Sequence, residues 1–190
     1  MDILTKVPAI YGDWNEQFGA TWAGQIEKLK AKFGSAILEV NMPGVERVEV
    51  PVVYIAKDST IELLKFLKSE AGFEYGFLAD LTATDEQPEE LRFEVIYNLF
   101  SHKTKARMRV KLRLREGEDA PTAVGIWSAA NWAEREVFDM FGVRFQGHPD
   151  LRRVLMDERF QGHPLRKDYP LRGYQIFTTP EPVHPELLED

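Results

Sequence analysis

From Lys105 to Arg115 the chain alternates without a slip. Met108, Val110, Leu112 and Leu114 are apolar, while Arg107, Arg109, Lys111, Arg113 and Arg115 are basic. Successive side chains of an extended backbone point to opposite faces, so a period of two specifies a strand with one buried and one wet face. The preceding run, Leu91–Phe100, is apolar at Leu91, Phe93, Val95, Tyr97 and Leu99, and Tyr75–Thr84 reads as another strand. Asp85-Glu86-Gln87-Pro88 and a polar loop around Ser101-His102-Lys103 separate the three runs. Sequential strands joined by short turns favour an antiparallel or mixed sheet.

Helical periods flank this sheet. Trp14, Phe18, Trp22, Ile26, Leu29 and Phe33 line one helix face, with Gly34 where a stop belongs. Ala36–Val40 and Arg47–Ile55 read as a hairpin around Met42-Pro43-Gly44, and Pro51 marks the second strand as an edge or a bulge. Ile61, Leu64, Leu67 and Ala71 follow Asp58 and Ser59, both candidate N-caps, and end at Gly72. A last short helix runs from Ala129 to Phe141, preceded by Ser128 and closed by Gly142. The order αββαβββα predicts a two-layer α+β domain with a mixed or antiparallel sheet over residues 1–142. Residues 143–190 then form an extended C-terminal tail. Its aromatic and aliphatic content, from Phe145 to Phe177, is that of a segment folding on a surface, often another chain's. Within it, Arg144-Phe145-Gln146-Gly147-His148-Pro149 recurs as Arg159-Phe160-Gln161-Gly162-His163-Pro164. Two copies are too few for a solenoid and read as one turn design used twice.

Composition narrows the chemistry. The 190 residues include no cysteine, which excludes a disulfide framework, a cysteine-ligated metal or cluster and a cysteine nucleophile. No phosphate loop, dinucleotide fingerprint or nucleophile elbow occurs. The start, MDILTKVPAI, lacks the apolar core of a signal peptide, and no run is long and apolar enough to span a bilayer. The expectation is a soluble protein that reaches a membrane only through other chains. The formal charge is −7, yet residues 101–115 hold seven bases and no acid. The overall field disfavours polyphosphate, and the strand alternates with aliphatic rather than aromatic side chains, so nucleic-acid binding is the remote reading. Neutralisation across the sheet by acids such as Glu94, together with docking to an acidic partner or tail, fits better.

Two groups invite functional readings. Glu134, Arg135, Glu136 and Asp139 crowd the last helix, where Arg135 and Asp139 are four apart and should pair. On pattern alone this is a solvated face; paired catalytic carboxylates would require a cleft. His148 and His163 lie in Gly-His-Pro turns without metal-ligand spacing, so a hydrogen bond to backbone or to a neighbouring carboxylate is the favoured role over a metal ligand.

The string from Asn131 through Trp132-Ala133-Glu134-Arg135-Glu136-Val137-Phe138-Asp139-Met140-Phe141-Gly142 to Phe145 resembles the signature of the 30-kDa subunit family of respiratory complex I. So do Gly147-His148-Pro149-Asp150-Leu151-Arg152-Arg153 and Gly162-His163-Pro164-Leu165-Arg166-Lys167-Asp168-Tyr169-Pro170-Leu171. Upstream, Phe77–Asp85 and Arg92–Tyr97 look like it too. Ala133 stands where the family often has Tyr, and Gln146 and Gln161 where it often has Glu. The resemblance implies a non-redox structural subunit of a proton-pumping NADH:quinone oxidoreductase, at the cytoplasmic face of a bacterial inner membrane. It implies packing in the peripheral arm against the large subunit that helps build the quinone pocket. No catalytic, cofactor or metal residue is expected in this chain, and FMN and iron–sulfur clusters are expected in partner subunits. Glu134, Arg135, Glu136, Asp139, Arg152, Arg153, Arg166 and Lys167 would then tie the tail to this domain and to the partner. Gly142, His148, Pro149, His163 and Pro164 would steer the chain between those contacts. The nearest alternative is the equivalent subunit of a membrane-bound energy-converting hydrogenase, separable by nickel-binding cysteines in the neighbouring chain.

Overall fold

A computed structural model describes residues 14–45 and 48–173, omitting the side chains of residues 14 and 15. Three helices, α1 (Trp14–Phe33), α2 (Thr60–Ser69) and α3 (Ala130–Phe141), accompany five strands of one sheet. These are β1 (Ile37–Asn41), β2 (Val52–Ile55), β3 (Phe77–Asp85), β4 (Phe93–Phe100) and β5 (Arg107–Leu114), in spatial order β1-β2-β5-β4-β3. The meander β3-β4-β5 is antiparallel, as its short turns require, and β1-β2 is a hairpin. The two units join through a parallel β2–β5 pair, with α2 and the first two meander strands as the long crossover that parallel pairing demands. A further pair of two-residue strands, β6 (Ala120–Pro121) and β7 (Phe145–Gln146), is also parallel. The fold is thus the expected two-layer α+β arrangement with a mixed sheet.

The alternation of β5 decides the layers. Met108, Val110, Leu112 and Leu114 face one core cluster with Val95, Tyr97 and Leu99 of β4. The same cluster takes Trp22 and Leu29 of α1, Leu63, Leu64 and Leu67 of α2, and Val137 and Met140 of α3. All three helices therefore cover the same face. The basic positions form the other face, where Glu94 accepts from Lys111 at 2.5 Å and from Arg113 at 2.9 Å, and Glu39 accepts from Arg113 at 3.0 Å. The stripe is neutralised across the sheet at Lys111 and Arg113, with the Arg113 guanidinium 3.9 Å from the centre of the Tyr54 ring.

Several local readings change. Pro51 marks neither an edge nor a bulge: β2 starts one residue later and lies between β1 and β5. Lacking an N–H, Pro51 serves only as acceptor, taking the Arg109 N–H at 2.8 Å where the parallel pairing begins. Neither Ser59 nor Ser128 caps by its side chain. Ser59 does hold the N-cap position of α2, as the last residue of a tight turn at Lys57–Ser59, while the N-cap of α3 is Ala129, one residue later than the sequence suggests. Gly72 lies three residues beyond the end of α2, whose C-cap is Glu70. Residues 46–47 and 174–190 lie outside the described residues, so the expected start of the second strand and the end of the tail are not placed.

Leu112 is fully buried in the shared core. Leu112→Ala is expected to cost about 2–5 kcal/mol, read as a lower urea midpoint at unchanged slope.

Candidate functional site: a carboxylate clasp on the last helix

The outer side of α3 carries the chain that follows it. The helix ends at Gly142, whose φ of +80° lets its N–H bond the Phe138 carbonyl and turns the backbone sharply. A Cβ at Gly142 would fall 2.7 Å from the His163 ring, so space and conformation both require glycine. After the turn Phe145 is buried and pairs with β6, and the segment doubles back along the helix.

Asp139 holds that segment. Its side chain is wholly buried, and one oxygen accepts three successive backbone N–H groups: Val154 at 3.0 Å, Leu155 at 2.8 Å and Met156 at 2.9 Å. The other oxygen accepts Arg153 Nη1 at 2.6 Å. Such a ring of amides is an anion nest, filled here by the protein's own carboxylate. Burial opposes the charge, but the N–H groups of Met156, Leu155 and Val154 and the guanidinium outweigh it and hold the Asp139 carboxyl below its usual range. Arg153 also donates to the Gly162 carbonyl at 2.9 Å. Arg135 does not pair with Asp139. It gives its donors to the carbonyls of Arg152 (3.1 Å) and Arg153 (3.0 Å), with its guanidinium 4.7 Å from the centre of the Trp132 ring. The solvated-face reading therefore fails for Glu134, Arg135 and Asp139, all buried, and holds for exposed Glu136.

The two histidine turns fasten opposite ends of the same helix. His148 Nε2 donates to the Asn131 carbonyl at 3.1 Å, while its Nδ1 accepts the Asp150 N–H at 3.0 Å. His163 Nδ1 donates to the Asp139 carbonyl at 2.9 Å. Gly147 and Gly162 take positive φ at the two turns, +83° and +91°. Pro149 and Pro164 follow the histidines and contribute no N–H. Both histidines thus bond backbone carbonyls.

A second clasp binds the end of the segment to the sheet. Asp85, at the end of β3, receives a two-pronged bond from Arg92 (3.0 and 2.8 Å) and the Lys167 N–H at 2.8 Å. Arg92 reaches on to Glu116 at 2.8 Å and Asp168 at 2.9 Å, and Arg166 pairs with the same two carboxylates. Burial resists the charge on Asp85, but Arg92 and two backbone N–H groups bring its carboxyl down to about 2. The Arg152 side chain stands apart, paired among the described residues only with Asp150 two residues before it. Of the sequence candidates, Arg135, Asp139, Gly142, His148, Arg153, His163, Arg166 and Lys167 are thus brought together, while Glu136 and Arg152 face outward. Sequence reasoning does not single out Asp85, Arg92, Glu116 or Asp168, although all but Glu116 lie in the stretches that resemble the family.

Glu134 faces inward and makes a different contact. Its carboxyl takes the Ala123 N–H and the Thr122 hydroxyl, both at 2.6 Å, bracing α3 against the turn after β6. Among the described residues no cation neutralises it, and burial pushes its pKa up to about 7. Tyr97 on β4 has a buried hydroxyl with no hydrogen-bond partner among the described residues, and burial and the Glu134 charge both raise its pKa.

Residues 53–175 match the family model described as the 30 Kd subunit of respiratory-chain NADH dehydrogenase. The chain belongs to this family. It is 46% identical over 139 residues to a C-type NADH-quinone oxidoreductase subunit from Rhizobium meliloti, covering 70% of this chain and 76% of that protein. It is 47% identical over 147 residues to the corresponding C-type protein of Geotalea uraniireducens, covering 77% and 86%. A protein from Bdellovibrio bacteriovorus, named as a combined C/D form of the same oxidoreductase, is 39% identical over 160 residues, which span 84% of this chain and 28% of that one. Membership makes the chain a complex I subunit, and the matched span contains both clasps.

Two variants test the site. Asp139→Asn removes the charge at the nest and should release the segment around Val154–Met156, seen as faster amide exchange there while β4 and β5 stay protected. Glu134 binds its proton more tightly in the folded than in the unfolded chain, whose ordinary value is 4.5. Its contribution therefore weakens as pH rises from about 4.5 to 7 and levels off above. Glu134→Gln is expected to remove that slope, on the order of 3 kcal/mol across the window, read from urea melts at each pH.

Proposed function

We propose that this chain is a structural subunit of the peripheral arm of NADH:quinone oxidoreductase. The surface formed by α3 and the clasped segment docks on the large subunit of the quinone site. The observation that carries the reading is how the segment's side chains divide. Arg153 and Arg166 turn inward to Asp139 and Glu116, and the Lys167 backbone N–H bonds Asp85. Phe145 is buried and Leu151 and Met156 pack on the core, but Leu155 (57% exposed) and Leu165 (55%) turn out, as does Trp132 of α3 (64%). A segment held this firmly with these two leucines outward is shaped as a preformed contact surface, and preorganisation lowers the entropy lost on association. The relative named as a C/D form carries a second subunit's name on the same polypeptide, which supports a permanent one-to-one contact for this chain as well.

Electron transfer belongs to the neighbours. A chain without cysteine offers no thiolate for an iron–sulfur cluster, and the titratable groups of the clasps are engaged in bonds that hold backbone. Flavin and clusters accordingly reside in partner subunits, and this chain supports NADH-to-quinone transfer by positioning them. Among the described residues no helix is long and apolar enough to cross a membrane. The subunit is peripheral, on the cytoplasmic face, held there by the complex.

Leu155→Asp with Leu165→Asp alters only exposed side chains. The isolated double variant should melt within about 1 kcal/mol of the parent, yet fail to co-purify with the quinone-site subunit. Normal assembly would refute the docking surface.

A further inference from the structure

The sheet's second face has its own architecture. Val52, Tyr54 and Ile96 are buried there, yet they stand outside the core cluster that takes in all three helices. The stems of the long cations roof them instead. Along β5 this roof changes character. Toward Leu114 every cation meets a carboxylate: Lys111 and Arg113 meet Glu94, and Arg115 meets Glu90. Nearer the start of the strand the pattern breaks. Among the described residues Arg109 pairs with no carboxylate; its Nε donates to Asn98 at 2.9 Å, and the Asn98 amide passes on to Asp80 at 3.3 Å.

That end also holds exposed aromatic surface. Phe77 is 48% exposed, and His102 lies 5.6 Å from its ring and 4.9 Å from that of Phe100. The Arg107 guanidinium lies 5.5 Å from the Phe100 ring. Nearby, where a register shift in β3 leaves Ala79 outside the ladder, a depression of about 270 Å³ opens, lined by Glu49, Asp80, Asn98, Arg107 and Arg109 among others. β-bulges recur where a sheet re-aims side chains toward a partner.

We propose that this end of the open face is a second docking surface, separate from the α3 surface. Its occupant is an extended, carboxylate-bearing segment of another subunit with an aromatic or aliphatic side chain beside the carboxylate. The carboxylate meets Arg109, whose planar fork suits two-pronged pairing. The neighbouring apolar side chain covers Phe77 and Phe100. With Asp80 and Glu49 beside the two arginines, the lining suits a single carboxylate rather than a run of phosphates. The proposal rests on the chain working inside the assembled complex.

The absence of native cysteine gives a clean reporter. Ala79→Cys places a single thiol at the exposed rim, and Leu155→Cys places one on the α3 surface. Maleimide labelling of each is compared between isolated chain and purified complex, read by mass on this subunit. Ala79→Cys is expected to label at least tenfold more slowly in the complex. Adding Arg109→Glu should restore fast labelling, and Arg109→Lys should leave most of the protection. Equal labelling of Ala79→Cys in both states would overturn the proposal. If Leu155→Cys is protected in the same complex, the α3 docking surface stands while this one falls. Protection that survives Arg109→Glu, or that nuclease treatment abolishes, would overturn the acidic-segment reading.

Discussion

A single carboxylate organises the C-terminal third of this chain. Asp139 is buried at the end of α3, where a charge is costly unless fully coordinated. Three successive N–H groups and one guanidinium meet that demand, and all come from the chain lying outside the helix. The helix therefore requires the segment as much as the segment requires the helix. Arg135 completes the arrangement by gathering the carbonyls just before the nest. Residues 143–173 have no repeating structure beyond β7; their backbone groups are met by side chains and by isolated turns rather than by a ladder.

The layers are legible in the sequence because one period fixes them. The strict alternation of Arg107–Leu114 specifies strand, faces and neutralising partner together, and Glu94 sits across from those cations in the structure. The parallel junction of β2 and β5 is not legible, since strand order depends on packing between distant segments. Pro51 misleads because a proline before a central strand and one within an edge strand look alike in sequence. Side-chain capping at Ser59 and Ser128 misleads because tight turns supply the same hydrogen bonds from the backbone.

The site is legible as a set of residues and not as a set of bonds. Spacing puts Arg135 opposite Asp139, and helix geometry alone would pair them. Tertiary partners with better-placed donors displace that pairing. The Asp85–Arg92 clasp joins Lys167 across 82 positions of sequence, a separation that no local pattern reports. Glu134 resembles its acidic neighbour Glu136 in every sequence property, and only its inward turn toward Thr122 and Ala123 separates a buried carboxyl from a wet one.

The duplicated Gly-His-Pro turns act as a ruler. One histidine grips the carbonyl of Asn131 and the other that of Asp139, eight residues farther along a rigid rod. At roughly 1.5 Å of rise per residue these grips sit about 12 Å apart. The stretch of chain between the copies must span that gap and thread the amide ring midway. Surface hairpins such as the one at Ser101–Lys105 can absorb inserted residues. Between Pro149 and Arg159 a single added or missing residue would move one grip out of reach of its carbonyl, so the length of this stretch is fixed by the helix it embraces.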